Sequence, residues 1–106
     1  MTDGAVRRYL AIVQFPASMS AADLAKRVPG IRDFITNLST GEMEQFFHSV
    51  EGRTFGMFFK SAKPLPLIRS VLDGVTSNGD TFMVLEVGPN ATAKGFGRAL
   101  TWLQHH

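Results

Sequence analysis

The spacing of apolar residues changes along this chain in an order that predicts an α+β fold. Segments with the apolar content of strands alternate with segments of helical spacing, in the order strand, helix, strand, strand, helix, strand. Only Glu51-Gly52 separates the middle two strands, as in a two-residue hairpin. This βαββαβ order is the ferredoxin-like plan and predicts a four-stranded antiparallel sheet with its helices on one face. We expect a short C-terminal helix after the last strand.

The first strand is predicted over Arg7–Phe15 and is almost continuously apolar, as in a central strand with both faces covered. The first helix begins after Ser20, where S-A-A-D resembles a capping box. Pro29 lacks an amide donor, so we expect the helix to be kinked or split there. The apolar stripe of this helix follows spacings of three and four and comprises Leu24, Val28, Ile31, Phe34, Ile35 and Leu38.

The second and third strands are predicted over Met43–Val50 and Arg53–Lys60. A two-residue hairpin places His48 opposite Phe55, Phe46 opposite Met57, and Phe47 opposite Gly56. One face of the pair then carries Phe46, Phe55, Met57 and Phe59, and the other carries Met43, Phe47 and Phe58.

Proline residues mark the start of the second helix. Pro64-Leu65-Pro66 suits a first helical turn, where proline costs little. The predicted buried stripe of this helix is Leu67, Ile68, Val71, Leu72 and Val75. Thr81–Val87 is the predicted fourth strand, and Gly95–Gln104 is the predicted closing helix.

The length of 106 residues fits a single domain over 1–106, with residues 1–5 and 105–106 as loose ends. We interpret His105 and His106 as the start of an expression tag. The chain has no Cys, which excludes disulfides, thiolate zinc sites and a cysteine nucleophile. No apolar run approaches the ~20 residues of a membrane span, and the N-terminus lacks a signal-peptide pattern. We therefore expect a soluble cytoplasmic protein.

Both predicted faces of the sheet are apolar, although two helices cover only one of them. Nine Phe, against one Tyr and one Trp, supply bulk without a hydrogen-bonding group. An uncovered apolar patch usually marks an interaction site. We expect a homodimer that buries sheet against sheet, or strand edges together with that face. The alternative is that Asn90–Gln104 folds over the patch.

Polar residues interrupt the strands at Gln14, Gln45, His48 and Glu86. A neutral imidazole at His48 suits a general base, and Glu86 in an apolar strand asks for a partner such as Arg8 or an Arg of a dimer mate. If these groups share a face, they would line a pocket for a small molecule. The structural alternatives are a hydrogen-bonded histidine and a simple ion pair.

A glycine-spaced segment, Lys94-Gly95-Phe96-Gly97-Arg98, precedes the closing helix. Amides at a helix start bind phosphate, so Lys94, Gly95, Gly97 and Arg98 are candidate ligand contacts. The segment is neither a Walker sequence nor a full GxGxxG, and a flexible helix start explains it equally.

Other chemistries find little support. One non-terminal His and no Cys leave too few ligands for a metal site. No cofactor motif is present, and the GxSxG nucleophile elbow of serine hydrolases is absent from the sequence. The third strand is similar to the RNP1 pattern of RNA-binding domains, but Gly56-Met57-Phe58 departs from its spacing and Tyr9 is the one stacking candidate on the first strand. Nucleic-acid binding would depend on the cations Arg53, Lys60, Lys63 and Lys94, within a net charge of only +2.

The chain from Phe46 to Gln104 resembles small proteins of the VapD and CRISPR-associated ferredoxin-like nuclease superfamily. The segments that carry the resemblance are Phe47-His48-Ser49, Lys60-Ser61, Leu67-Ile68-Arg69, Asp80-Thr81-Phe82-Met83-Val84, Gly95-Phe96 and Thr101-Trp102-Leu103. The resemblance implies a ferredoxin-like fold and, in nuclease members, a metal-binding Asp at the end of the first strand. Here Val13-Gln14-Phe15 holds no acid, which argues against metal-dependent nuclease activity. Dimeric α/β-barrel proteins are a further analogy at the level of fold.

Our first hypothesis is a small cytoplasmic homodimer with a non-enzymatic binding or accessory role. The alternatives are a small-molecule enzyme or binder of the dimeric α/β-barrel type, with His48 and Glu86 in one enclosed cavity, and a nucleic-acid-binding protein.

Overall fold

The structure, a computed structural model, describes residues 6–41, 43–49, 53–77 and 79–88. Its elements are β1 (Arg7–Gln14), α1 (Ala21–Leu38), β2 (Met43–His48), β3 (Thr54–Ser61), α2 (Leu65–Val75) and β4 (Thr81–Glu86). The strands form one antiparallel sheet in the order β2-β3-β1-β4. The predicted α+β class and element order are confirmed, and they fit the ferredoxin-like plan. The predicted turn Glu51-Gly52 and the predicted helix Gly95–Gln104 lie outside the described residues.

Helix α1 runs continuously for 18 residues through Pro29. Of the two expectations, a kinked or a split helix, the split is therefore wrong and the kink stays a prediction. Ser20 caps its start as predicted, since the Ser20 hydroxyl accepts a hydrogen bond from the Asp23 amide at 3.1 Å. Buried residues lie on both sides of Pro29, with Leu24 before it and Ile31 after it. Packing on both sides offsets the cost of the proline, because tertiary contacts override local propensity.

Both helices pack on the same face of the sheet. The core there combines Tyr9, Ala11 and Val13 of β1, Phe55, Met57 and Phe59 of β3, Ile31 and Ile35 of α1, and Ile68 and Leu72 of α2. Phe34 and Leu67, which the sequence placed in the buried stripes, are each 44% exposed. Each immediately precedes a buried isoleucine, and one residue rotates a helical side chain by about 100°. They therefore lie at the flank of the stripe rather than against the sheet.

A β-bulge in β2 changes which side chains face the helices. Met43 pairs with Phe59 and Gln45 with Met57, but the register shifts between Gln45 and Phe47. The predicted pairs of His48 with Phe55 and Phe47 with Gly56 are confirmed, whereas the predicted pair of Phe46 with Met57 is wrong.

The bulge moves two side chains to the faces opposite those predicted. An extra residue on one strand of a ladder reverses the alternation beyond it. Met43 therefore packs against the core under the helices. Phe46 lies on the other face, where its ring centroid is 4.9 Å from that of Phe58 and 5.4 Å from that of Phe47.

A buried ion pair holds the turn after α2 against α1. Arg27 donates to the Asp80 carboxylate at 2.6 Å, and the Asp80 side chain is only 1% exposed. The Ser77 amide donates to the same oxygen at 2.8 Å, and the Arg27 guanidinium lies 5.3 Å from the centre of the Phe15 ring. These contacts connect β1, α1 and the start of β4 at one end of the sheet.

Candidate functional site

The face of the sheet opposite the described helices carries large apolar side chains on all four strands, and Glu44 of β2 lies on it opposite Phe58. The segment 90–104, which the sequence offers as an alternative cover for this face, lies outside the described residues. Strand alternation places every second residue on this face, pointing away from the core, except at the β2 bulge, where the adjacent Phe46 and Phe47 both lie on it. We define the open face by its large apolar side chains, which are Leu10, Ile12, Phe46, Phe47, Phe58, Met83 and Leu85.

A small second core lies at the centre of the open face. Phe58 is only 4% exposed, and Leu10, Phe46 and Val87 pack against it. Towards the β4 edge the face is open, since Met83 is 54% and Leu85 47% exposed. The open face thus combines a packed aromatic centre with exposed aliphatic side chains.

Polar residues bound the open face at both ends. Arg8 pairs with Lys60 across β1 and β3 at one end. Gln14 pairs with Thr54 and with Thr81 at the other end. An apolar centre with a polar rim is the usual anatomy of a protein–protein interface.

Two of the predicted polar candidates lie together on the helix-covered side. Gln45 and His48 line a cleft of about 240 Å³ with Val28, Arg32 and Phe55. His48 is exposed, and its Nδ1 lies 2.9 Å from the carbonyl oxygen of Ser49. The sequence did not single out Arg32, because the helical pattern gives no sign that its side chain meets the end of β2. The cleft brings a cation, an imidazole and an amide together.

Glu86 is neither buried nor near His48. Its side chain is 57% exposed, and its carboxylate lies 3.8 Å from Nε of Arg7. Glu86 forms an ion pair, which was the structural alternative, but its partner is Arg7 rather than the suggested Arg8. His48 and Glu86 belong to the two edge strands, β2 and β4, so a single chain does not place them in one cavity.

Gln14 is exposed and belongs to the polar end of the open face, on the opposite side of the sheet from Gln45. It lines a cleft of about 240 Å³ with Ile12, Thr54, Thr81, Phe82 and Met83. The candidates Lys94, Gly95, Gly97 and Arg98 lie outside the described residues.

The described cations proposed for nucleic-acid binding do not form one patch. Arg53 precedes β3 and donates to the carbonyl oxygens of Pro16 and Met19, both at 2.8 Å. Lys60 and Lys63 lie at the other end of β3. Tyr9, the stacking candidate, is fully buried under the helices and donates its hydroxyl to the Lys63 carbonyl. Neither the aromatic nor the cationic part of an RNA surface is formed by these residues.

Among the residues that the structure describes, no group of three or more His, Cys, Asp or Glu is placed to hold a metal ion. Within the same ranges, no helix combines the length and the apolar character needed to cross a membrane.

No protein-family model matches this chain, and no curated protein matches it either. The resemblance to the VapD and CRISPR-associated superfamily therefore stays a prediction. The geometry of the open face is the observation on which a functional conclusion can be built.

Proposed function

We propose that this chain is a cytoplasmic, non-enzymatic protein with a binding or accessory role that works as a homodimer, two copies burying their open faces against each other. The single observation that carries the proposal is the apolar character of the open face on every strand of the sheet. Monomeric proteins rarely expose contiguous apolar patches of more than a few hundred Å².

Energetics favours this assembly. Full burial of a large apolar side chain is worth about 1.5–3 kcal/mol, and partly covered ones contribute a fraction of that. Association itself costs ~4–15 kcal/mol. A two-fold contact buries the patch twice, once from each copy, so the exposed side chains of Met83 and Leu85 each contribute twice towards offsetting that cost.

A second candidate function is the binding of a small molecule, favoured by the cleft that holds Arg32, Gln45 and His48. A guanidinium and a neighbouring imidazole suit a small carboxylate or phosphate. The cleft volume of about 240 Å³ is below the ~300–1,000 Å³ typical of ligand sites, so the dimer is the better supported proposal.

The test compares two variants of β1 that add the same charge. Ile12→Glu places a carboxylate at the centre of the open face, and Gln14→Glu places one at its polar end. Both side chains point away from the helices, so both variants keep the circular dichroism of the wild type. Sedimentation velocity should show that Ile12→Glu weakens the open-face contact and lowers the mass, while Gln14→Glu sediments like the wild type. An unchanged mass for Ile12→Glu would rule out the open face as the interface.

A further inference from the structure

The edge of β4 that faces away from β1 carries the backbone amides and carbonyls of alternate residues. Within the described part of the chain, β4 has a strand neighbour on one side only, β1. The Val87 amide donates to the Arg8 carbonyl at 2.8 Å, and this bond fixes the alternation of the antiparallel ladder. Met83 and Leu85 therefore direct their amides and carbonyls towards β1. Phe82, Val84 and Glu86 direct theirs outward.

The two edges of the sheet differ in how they are protected. The β-bulge at Phe46 interrupts the regular pattern of β2, which is a common device against edge pairing. Strand β4 reads Thr-Phe-Met-Val-Leu-Glu, with no bulge, proline or lysine. Its apolar and β-branched residues favour extended pairing. Of the two edges, β4 is the one suited to accept another strand.

A groove of about 760 Å³ runs between the β4 edge and α2. Leu65, Pro66 and Arg69 form its helical wall, and residues 80–84 form the strand side. The Arg69 guanidinium lies 5.8 Å from the centre of the Phe82 ring, which places a cation beside the strand edge. A strand that pairs with β4 and carries an acidic side chain next to Arg69 would complement the charge of this groove.

We propose that β4 pairs with β4 of a second copy of this chain, antiparallel about a two-fold axis normal to the sheet, with Val84 opposite the partner's Val84. The contact is separate from the open-face dimer and goes beyond it. It joins the two sheets edge to edge and leaves both open faces on the same side.

The register follows from hydrogen bonding and charge. A two-fold axis normal to the sheet keeps the open faces of both copies on the same side. The side chains of two directly opposed residues must therefore point to the same face of the joined sheet. With Val84 at the axis, Phe82 lies opposite the partner's Glu86, and every outward-facing residue of β4 gains a partner. Centring the pair on Met83 instead would place Glu86 opposite the partner's Asp80, and like charges opposed across strands are destabilising.

Side chains on both faces complement this register. On the open face, Met83 meets the partner's Leu85, which pairs the two exposed apolar side chains of β4. On the helix side, Glu86 comes next to the partner's Phe82, over which the partner's Arg69 lies. Glu86 and Arg69 thereby form an ion pair between copies. The contacts that compete within one chain, Arg69 with Asp73 at 3.2 Å and Glu86 with Arg7 at 3.8 Å, are both exposed pairs and therefore weak.

Val84→Pro tests the contact selectively. Proline is tolerated where the amide faces outward from an edge strand, so the monomer keeps its ladder to β1. The same change removes the donor at the centre of the proposed pairing. Val84→Thr is the matched control, because it keeps the amide and the β-branched shape.

Mass measurements by sedimentation, made in the Ile12→Glu background, separate this contact from the open-face contact. The wild type, in which both contacts form, should be larger than a dimer. Ile12→Glu should be a dimer through β4, Ile12→Glu/Val84→Pro should be a monomer, and Ile12→Glu/Val84→Thr should stay a dimer. Equal masses for Ile12→Glu and Ile12→Glu/Val84→Pro would overturn the β4 contact. Equal masses for wild type and Ile12→Glu would instead count against the open-face dimer.

Charge reversal checks the register. Arg69→Glu and Glu86→Arg should each raise the dissociation constant of the β4 contact by about tenfold, and the double exchange should restore it. Failure of the double exchange to restore association would reject the proposed register.

Hydrogen exchange supplies a readout that needs no variant. The outward amides of Phe82 and Val84 should become protected as the wild-type concentration rises, and lose protection on dilution. Exchange of these amides that is independent of concentration would also overturn the proposal.

Discussion

The Asp80 carboxylate is buried beside the Arg27 guanidinium, and one end of the fold depends on this contact. Its Oδ2 accepts hydrogen bonds from Arg27 and from the Ser77 amide, whereas its buried Oδ1 has no hydrogen-bond partner among the described residues. A buried carboxylate that loses its cation is strongly destabilising.

Arg27→Met should therefore lower the free energy of unfolding by about 3 kcal/mol, at the low end for a broken buried pair because Arg27 stays 28% exposed. Lys26→Met, next to it on an exposed position of α1, should change that free energy by less than about 0.5 kcal/mol. Urea denaturation measures both. Equal losses for the two variants would contradict a special role for the Arg27–Asp80 pair.

Single residues of the site were only partly predictable from the sequence. The pairing of His48 with Phe55 follows from the short hairpin, since a turn fixes register locally. The pairing of Glu86 with Arg7, and the placement of Arg32 and His48 in one cleft, depend on how distant segments pack. Periodicity along one chain carries no information on such contacts.

At the scale of the element, the β2 bulge decides the composition of the open face. It places Phe46 and Phe47 next to each other on that face, with their rings edge to face at 79°. Gly56 lies opposite Phe47, and a Cβ at Gly56 would come within 2.5 Å of the Phe47 ring. The bulged strand is accommodated because position 56 has no side chain.

Gly56→Ala should cost about 1–3 kcal/mol of unfolding free energy, because the added methyl group overpacks against the Phe47 ring. The same change in a Phe47→Ala background should cost less than about 1 kcal/mol. A double-mutant cycle by chemical denaturation measures the coupling. If Gly56→Ala lowered the unfolding free energy equally in both backgrounds, the contact with the Phe47 ring would not be the reason for glycine at position 56.

Helix α1 retains a proline whose removal should stabilise the fold. Pro29 is exposed and leaves the Ala25 carbonyl without its helical donor. Pro29→Ala should raise the free energy of unfolding by about 2 kcal/mol, from the helix-interior cost of proline less the entropy gained by the unfolded chain. Pro66→Ala, in the first turn of α2, should change it little. Similar effects of both changes in thermal denaturation would contradict this account.

Element order was predictable because hydrophobic period is a local property, and the strands and helices follow it closely. The bulge was not predictable, because nothing in Gln45-Phe46-Phe47 distinguishes a bulged strand from a regular one. The predicted faces of Met43 and Phe46 were wrong for this reason.

At the scale of the whole molecule, one sheet carries two apolar faces and the described helices cover one of them. The sequence indicated this imbalance through its phenylalanine content, although it assigned Phe46 to the covered side. The structure adds that the open face has a packed centre around Phe58 and polar ends. The proposed function therefore depends on self-association rather than on a catalytic group.

The most direct measurement is the mass of the wild-type chain in solution across the micromolar range, by sedimentation equilibrium. The account predicts a mass of at least twice that of the 106-residue chain, falling on dilution. A mass equal to that of one chain over the whole range would contradict it, since neither the open face nor the β4 edge would then bind a second copy.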